Sequence, residues 1–428
     1  MNLLDDFKSR GLFHQSTDEA ALRKALDEGM VTGYIGFDPT AASLHVGSLL
    51  QILNLVRLQR AGHRPIAIVG GGTGLIGDPS GKQQERTLLT REVLDGYLAG
   101  IRAQLGRYLD FDAKANGALM IDNAAWLCEL PLVDFLRDVG KHFSVNAMVQ
   151  RDSVRKRLEE REQGISYTEF SYMLLQAYDF LALYDRHQCT LQVGGSDQWG
   201  NIVSGIDLIH RMRGGHAHGL TVPLVTTASG EKMGKTADGA VWLDPGKTPP
   251  FAFYQYWLNT LDGDVERFLH YFTFLGAEEV ASVAAAHAAD PSKRAGQRRL
   301  AEEVTRFVHG ADALDKAQRV TKVLFEVDDW RTLDAGDLEA AFEDAPKSEM
   351  DAALLGGPEA SMPAVLARSG LFKSKTEART GLGQGGVSVN NHTETSAQRV
   401  LAREDLLPGG YVVLRKGKKH YHVIRVTG

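Results

Sequence analysis

The chain has 428 residues, of which 43% are apolar and 24% charged, and a formal net charge of −6. That length asks for two or three domains, and that composition excludes a disordered or fibrous chain. The opening "MNLLDDFKSRGLFHQSTDEAALRKALDEG" lacks the apolar segment of a secretory signal, and no apolar run reaches the roughly 18 residues of a membrane span. Cys128 and Cys189 are the only cysteines, too few for a disulfide framework or a cysteine-based zinc site, so a reducing cytoplasm is the expected compartment.

From the N-terminus, apolar runs at 31–38 ("VTGYIGFD"), 64–71 ("RPIAIVGG") and 189–196 ("CTLQVGGS") predict strands, and "SLLQILNLVRLQRAG" (48–62) predicts a helix. Such alternation is that of an α/β, doubly wound (Rossmann-like) parallel sheet, in which ligands sit outside the carboxyl ends of the strands. The three runs lead there into Asp38, Asp78 and Asp197.

"YIGFDPTAASLHVGS" (34–48) carries a strand through Asp38, Pro39 and Thr40 into a helix opening near His45, with Gly47 two residues on. Free N–H groups at a helix start favour phosphate, although a lone histidine there is more often a cap or a core residue. "GGTGLIG" (71–77) has G-x-G-x-x-G spacing, but "DPSGK" follows where a helix should open, so a tight turn near a ligand is the better reading. In "YTEFSYMLLQAYDFLALYD" (167–185), Tyr172, Gln176 and Asp179 share one face of an otherwise apolar, buried helix. Buried polar groups need partners, so the three either form a structural network or line a pocket whose ligand supplies them. Asp197 and Gln198 in "LQVGGSDQWGNI" (191–202) suit ribose hydroxyls or, equally well, a helix cap. "SGEKMGKTADG" (229–239) then places Lys232 and Lys235 three apart in a stretch too rich in Gly, Ser and Thr for a regular element.

Beyond it, helical periodicity runs from 248 to about 325, residues 331–360 are acidic and broken by Pro and Gly, and the remainder reads as short strands and turns behind one helix. From Ser361 onward there are 11 Lys and Arg against 4 Asp and Glu, so a +7 tail follows a −13 body. A basic module on an acidic body suits a polyanion partner, with a merely solvated basic face as the even alternative.

Taken together, "PTAASLHVGS" and "KMGKT" (232–236) resemble the H-I-G-H and K-M-S-K-S signatures of class I aminoacyl-tRNA synthetases. "GFDPTAASLHVG", "GLIGDPSGK", "SYMLLQAYDF" and "GGSDQWGNI" resemble the bacterial tyrosyl-tRNA synthetases, and "LFKSKTEARTGLGQGGVSVNN" resembles the RNA-binding module those enzymes share with a small-subunit ribosomal protein. The resemblance spans essentially the whole chain. It implies a catalytic domain over 1–225, a mobile lysine-loop connection over 226–247, a helical domain on the anticodon side of tRNA over 248–330, a linker over 331–360 and a small α+β RNA-binding module over 361–428.

The resemblance also implies the chemistry. Tyrosine and ATP would give tyrosyl-adenylate and pyrophosphate, and the 3′ end of tRNA(Tyr) would then take the tyrosyl group. Tyr34 and Asp179 would hold the phenol, with Asp78, Tyr172 and Gln176 on the ammonium and Gln198 close by. Asp38, Thr40, His45, Gly47, Gly195, Asp197 and Thr236 would meet ATP. Thr40, His45, Lys82, Arg86, Lys232 and Lys235 would stabilise the departing pyrophosphate. Mg²⁺ is expected with ATP but no dedicated protein cage for it, no tightly bound cofactor and no membrane association, and the assembly implied is a homodimer. Ser48 for the second His, Gly234 for Ser, Thr236 for the last Ser, and Ile35 and Gln51 near the ribose depart from the pattern. A tryptophanyl-tRNA synthetase, a small-molecule nucleotidyltransferase and a non-catalytic RNA-binding relative are the competing readings.

Overall fold

The computed structural model describes residues 2–78, 89–151, 154–155, 158–159, 164–228, 230, 233–236, 239–325, 327, 329–342, 345–417 and 420–428. They form two compact units, Met1–Val308 and His309–Gly428.

The first unit is built on β1 (Gln15–Ser16), β2 (Thr32–Phe37), β3 (Arg64–Val69), β4 (Leu119–Asp122), β5 (Cys189–Gly195) and β6 (His218–Val222), in the spatial order β1-β6-β5-β2-β3-β4. All pairings are parallel except β1 on β6. The chain winds outward from β2 through β3 to β4, then crosses back to lay β5 on the other side of β2. The winding therefore reverses between β2 and β5, which opens a crevice beyond their carboxyl ends.

Helices cover the sheet: α1 (Leu3–Ser9), α2 (Glu19–Glu28), α3 (Val46–Arg60), α4 (Arg91–Leu105), α5 (Tyr167–His187) and α6 (Trp199–Arg213). α3 begins two residues before the predicted start because His45 caps it, its extended backbone letting Nδ1 accept from the Gly47 amide. α5 begins after Ser166, whose side chain accepts from the Glu169 amide, and stops at Gln188, which takes a left-handed φ of 52°. Tyr34, Ile66 and Ile68 of the sheet pack with Phe180 and Leu183 of α5 and with Leu208 and Ile209 of α6. In the lysine loop, where no regular element is expected, β7 (Lys235–Thr236) and β8 (Gly239–Ala240) form a two-residue hairpin.

α7 (Pro250–Leu258), α8 (Val265–Phe272), α9 (Ala277–Ala289) and α10 (Ala295–His309) follow, and the boundary expected at 248 lies inside this same compact unit. The reason is a polar clamp. The last carbonyls of α8 have no donors within the helix, and two guanidinium groups supply them. Arg57 Nη2 donates to Tyr271 O (2.7 Å) and Thr273 O (3.1 Å), while Arg10 donates to His270 O, Thr273 O and Leu275 O. Burial, and then the neighbouring Arg10, push the Arg57 guanidinium down to about 9, against the pull of Asp6.

In the second unit, α11 (Ala311–Phe325) and α12 (Ala335–Ala341) precede a five-stranded sheet, β9 (Lys347–Asp351), β10 (Val387–Val389), β11 (His392–Glu394), β12 (Tyr411–Lys416) and β13 (His420–Thr427), ordered β11-β10-β12-β13-β9. α13 (Met362–Arg368) and α14 (Lys375–Gly383) pack on it through Met362, Leu366 and Leu382, so two helices stand where the sequence shows one. Asn390 and Asn391 turn β10 into β11 with φ of 48° and 70°, as a two-residue hairpin requires. The stretch expected as a linker, 331–360, contributes β9, which runs parallel to β13. Only Met350 is buried in "KSEMD", and an edge strand so polar gives no apolar alternation to read. No helix among the described residues is long and apolar enough to cross a membrane.

Arg57→Ala removes the guanidinium donor to the buried Tyr271 carbonyl and one of the two to Thr273 O, and leaves Asp6 without one of its two cations. Urea unfolding of the variant should show a loss of about 3 kcal/mol.

Candidate active site

The crevice holds a cavity of about 240 Å³ whose walls include Tyr34 and Asp38 of the β2 end, Asp78, Tyr172, Gln176 and Asp179 of α5, and Gly195, Asp197 and Gln198 beyond β5. Nine residues singled out in the sequence are thus brought together from four separate segments. The question left open for α5 has a double answer: its polar face lines the cavity and is also networked.

At one end the Asp179 carboxylate is fully buried and accepts from Asn123 Nδ2 (2.9 Å) and Trp126 Nε1 (2.7 Å). Burial raises its carboxyl to about 7, with the Asn123 and Trp126 bonds opposing and the charges of Asp38 and Asp122 adding to the rise. The Tyr34 hydroxyl lines the same cavity, is buried, and has no hydrogen-bond partner among the described residues. Burial and then the Asp179 charge hold that phenol well above its ordinary range. A hydroxyl entering here would meet a carboxylate acceptor and an unpaired phenol, which together would satisfy it as acceptor and as donor.

Towards the mouth, Tyr172 donates to Asp38 Oδ2 (3.0 Å), Gln176 Nε2 to Gln198 Oε1 (3.2 Å), and Gln198 Nε2 to Asp78 Oδ2 (2.9 Å). Asn201 Nδ2 bonds both Gln176 Oε1 (2.9 Å) and Gln198 Oε1 (3.2 Å). Carboxylates and amide oxygens crowd this region without a basic side chain among the described lining residues, which suits a cation. "GGTGLIG" makes a 3₁₀ turn at Thr73–Leu75, and the Gly72 amide donates to Asn123 Oδ1 (2.7 Å).

The residues expected around the triphosphate lie elsewhere. Thr40, His45 and Gly47 do not line this cavity, and Thr40 is exposed. The two signature segments nevertheless meet. Val46 N donates to Val241 O (2.9 Å), and Leu243 N to Leu44 O (2.9 Å). Gly234 has φ +86°, and a Cβ built on it would stand 2.9 Å from the Gly47 amide nitrogen. A Cβ on Gly47 would in turn stand 2.6 Å from the His45 ring. Both positions need glycine, which accounts for Gly234 where the signature has Ser. Lys82, Arg86 and Lys232 lie outside the described residues.

Four residues of the site escaped the sequence reading: Thr73, Asn123, Trp126 and Gln192. Asn123 and Trp126 follow the carboxyl end of β4, a strand too short and too plain at "LMID" to be noticed, yet the rule that sites gather beyond strand ends would have pointed to "NAAW".

Residues 27–326 match the family described as tRNA synthetases class I (W and Y), and residues 337–424 match the tyrosine–tRNA ligase SYY-like C-terminal domain. The chain is 50% identical over 426 residues to the tyrosine–tRNA ligase of Bacillus caldotenax, covering 99% of this chain and 100% of that one. Against the tyrosine–tRNA ligase of Roseiflexus castenholzii it is 50% identical over 425 residues, covering 99% of each. A C-terminally truncated mitochondrial tyrosyl-tRNA synthetase of Aspergillus nidulans superposes with a TM-score of 0.68 at 31% identity, over 76% of this chain and 94% of that one. The fold is shared more distantly, at 15% identity and a TM-score of 0.55, with a tyrosyl-tRNA synthetase of Archaeoglobus fulgidus, over 74% of this chain and 99% of that one.

Because Asp179 Oδ1 accepts from the Trp126 indole, the carboxyl's ionisation should be visible on that N–H. Its proton resonance should move downfield as pH rises through a midpoint near 7, where the stronger carboxylate acceptor forms. ¹H–¹⁵N spectra taken from pH 5.5 to 8.5 check this, and Asp179→Asn should abolish the transition.

Proposed function

As the chain belongs to the tyrosine–tRNA ligase family of class I synthetases, whose members activate tyrosine with ATP and then charge tRNA, we propose that the cavity between β2 and β5 is its tyrosine pocket. The carrying observation is the buried, unpartnered Tyr34 hydroxyl in the same cavity as the Asp179 carboxylate. Substrate phenol donates to Asp179 and accepts from Tyr34. Phenylalanine would leave both unpaired in a dry site, which is the costly case. The ammonium lies towards Asp78, Tyr172 and Gln176, and Gln198 orients those groups through its bonds to Gln176 and Asp78. A tryptophan side chain offers no hydroxyl to this pair of groups, and that chemistry favours tyrosine over the competing amino acid.

In the first step a carboxylate oxygen of tyrosine bonds to the α-phosphorus of ATP, the bond to the bridging oxygen breaks, and pyrophosphate leaves. In the second, a terminal ribose hydroxyl of tRNA attacks the acyl carbon and AMP leaves. The nucleophiles belong to the substrates, so the protein's contribution is positioning and charge stabilisation. Asp38, Gly195 and Asp197 receive the nucleoside. His45 and Gly47 at the N-terminus of α3, with Thr40, face the phosphates. Lys82, Arg86, Lys232, Lys235 and Thr236 stabilise the pyrophosphate as it departs. Mg²⁺ arrives with the triphosphate as part of that substrate. The packing of Gly234 against Gly47 supports the shared role of the two signatures.

The second unit receives tRNA through its basic residues. The assembly is a cytoplasmic homodimer, a reading supported by the strong exposure of Leu132 (70%), Val133 (73%) and Tyr167 (72%) on the first unit.

Asp179→Ala should raise the KM for tyrosine and reduce discrimination against phenylalanine by roughly tenfold to a hundredfold, read from amino-acid-dependent ATP–pyrophosphate exchange. Unchanged kinetics for both amino acids would remove Asp179 from the pocket. Replacing the exposed Lys373, Lys375 and Arg379 together by alanine should raise the KM for tRNA by about tenfold and steepen no other constant, so pyrophosphate exchange stays at the parent rate.

A further inference from the structure

The loop carrying the lysine pair is tied to the helical segment upstream of the pair and at the residue between the two lysines. Upstream, Arg267 Nη2 donates to Thr226 O (2.7 Å) and the Ala228 amide donates to Asp264 Oδ2 (2.8 Å). Asp264 is only 1% exposed and is ion-paired to Arg267. Between the lysines, the Gly234 amide donates to the Tyr256 hydroxyl (3.3 Å), and Gly234 O accepts from Val241 N (3.1 Å). Met233 N closes the loop on Val225 O (3.3 Å). Tyr256, Asp264 and Arg267 therefore reach loop backbone from α7 and the start of α8, and none of them lines the tyrosine cavity.

A buried carboxylate is costly unless its bonds are met, and here one of the bonds that meets it fixes a loop amide rather than a core element. The Tyr256 hydroxyl likewise bonds a backbone amide at the residue between the lysines. The Tyr256 bond holds the residue that abuts the N-terminus of α3, and the Asp264 and Arg267 bonds hold the backbone that leads into the loop.

We propose that Tyr256, Asp264 and Arg267 are positioning residues for adenylate formation, fixing the backbone upstream of the lysine pair and, at Gly234 between the two, against the His45–Gly47 segment. The inference rests on the role given above to Lys235. Loss of one such bond displaces the loop, which slows the step that needs the lysines. It leaves tyrosine affinity alone, because tyrosine binds in a cavity these residues do not touch. A purely structural role would lower stability and leave the kinetic constants in place.

The test is tyrosine-dependent ATP–pyrophosphate exchange on the full chain with Tyr256→Phe, Asp264→Ala, Asp264→Asn, Lys235→Ala and the double variant Tyr256→Phe/Lys235→Ala. Tyr256→Phe should lower kcat roughly threefold to tenfold, the worth of one neutral hydrogen bond, with the tyrosine KM within about twofold of the parent. Asp264→Asn, which keeps an oxygen for the Ala228 amide, should recover part of the rate that Asp264→Ala loses. The double variant should be no slower than Lys235→Ala alone. A parent-like kcat in Tyr256→Phe, or additive slowing in the double variant, overturns the inference while Lys235→Ala remains slow. Parent-like exchange in Lys235→Ala overturns the reading of the loop and this inference with it.

Discussion

Burying the Asp179 carboxylate in a parallel α/β sheet carries a free-energy cost that the Asn123 and Trp126 donors offset only in part, since the carboxyl still sits near 7. The residual demand is met by organising everything around it. Asn123 Nδ2 also donates to Thr73 Oγ1 (3.0 Å), Thr73 Oγ1 donates to Asp38 Oδ1 (3.0 Å), and Tyr172 of α5 donates to Asp38 Oδ2. One chain of bonds thus joins the ends of β2 and β4, the glycine-rich turn after β3, and α5. Such a network is satisfied throughout or not at all, so it holds the pocket walls in place before any ligand arrives. The Tyr34 hydroxyl stands outside that network, buried in the same cavity as the Asp179 carboxylate and without a hydrogen-bond partner among the described residues.

The contact between the two signature segments follows a different physical logic. Its groups are backbone amides at the start of α3, a capping imidazole and a glycine-bearing hairpin, and none of them needs a buried charge. Contact between the two signature segments depends on the absence of side chains at Gly47 and Gly234. The cavity walls are held by side-chain hydrogen bonds, while the contact between the start of α3 and the Gly234 segment is made of loop backbone.

Arg57 connects these two regimes to the helical segment. It lies near the far end of the helix that His45 caps, and its guanidinium serves the carbonyls that close α8. The helix that His45 caps is therefore bonded near its other end to the helix that Asp264 precedes and whose first turn carries Arg267. The second unit has its own core and its own sheet, with a parallel edge strand at Lys347–Asp351 completing it.

The strands at β2, β3 and β5 were legible because strands buried on both faces are written as continuous apolar runs, and α5 because its polar residues recur on a single face. The family was legible because its loop motifs are contiguous: "GFDPTAASLHVG", "GGSDQWGNI" and "KMGKT" each hold several functional groups within a few residues. Chemistry carried by contiguous segments is determined by the sequence itself. Asn123, Trp126, Tyr256 and Asp264 had no such signal, since each acts on a partner tens of residues away, and a lone Asn or Trp in a plain segment has no periodicity to betray it. The polar strand at Lys347–Asp351 was hidden likewise, because its pairing with β13 comes from backbone bonds and not from apolar side chains. Which of the buried polar groups would be paired with one another, and which would be left facing the cavity, was decided only when the sheet brought them together, since hydrogen bonding depends on distances of a few tenths of an ångström that no linear pattern records.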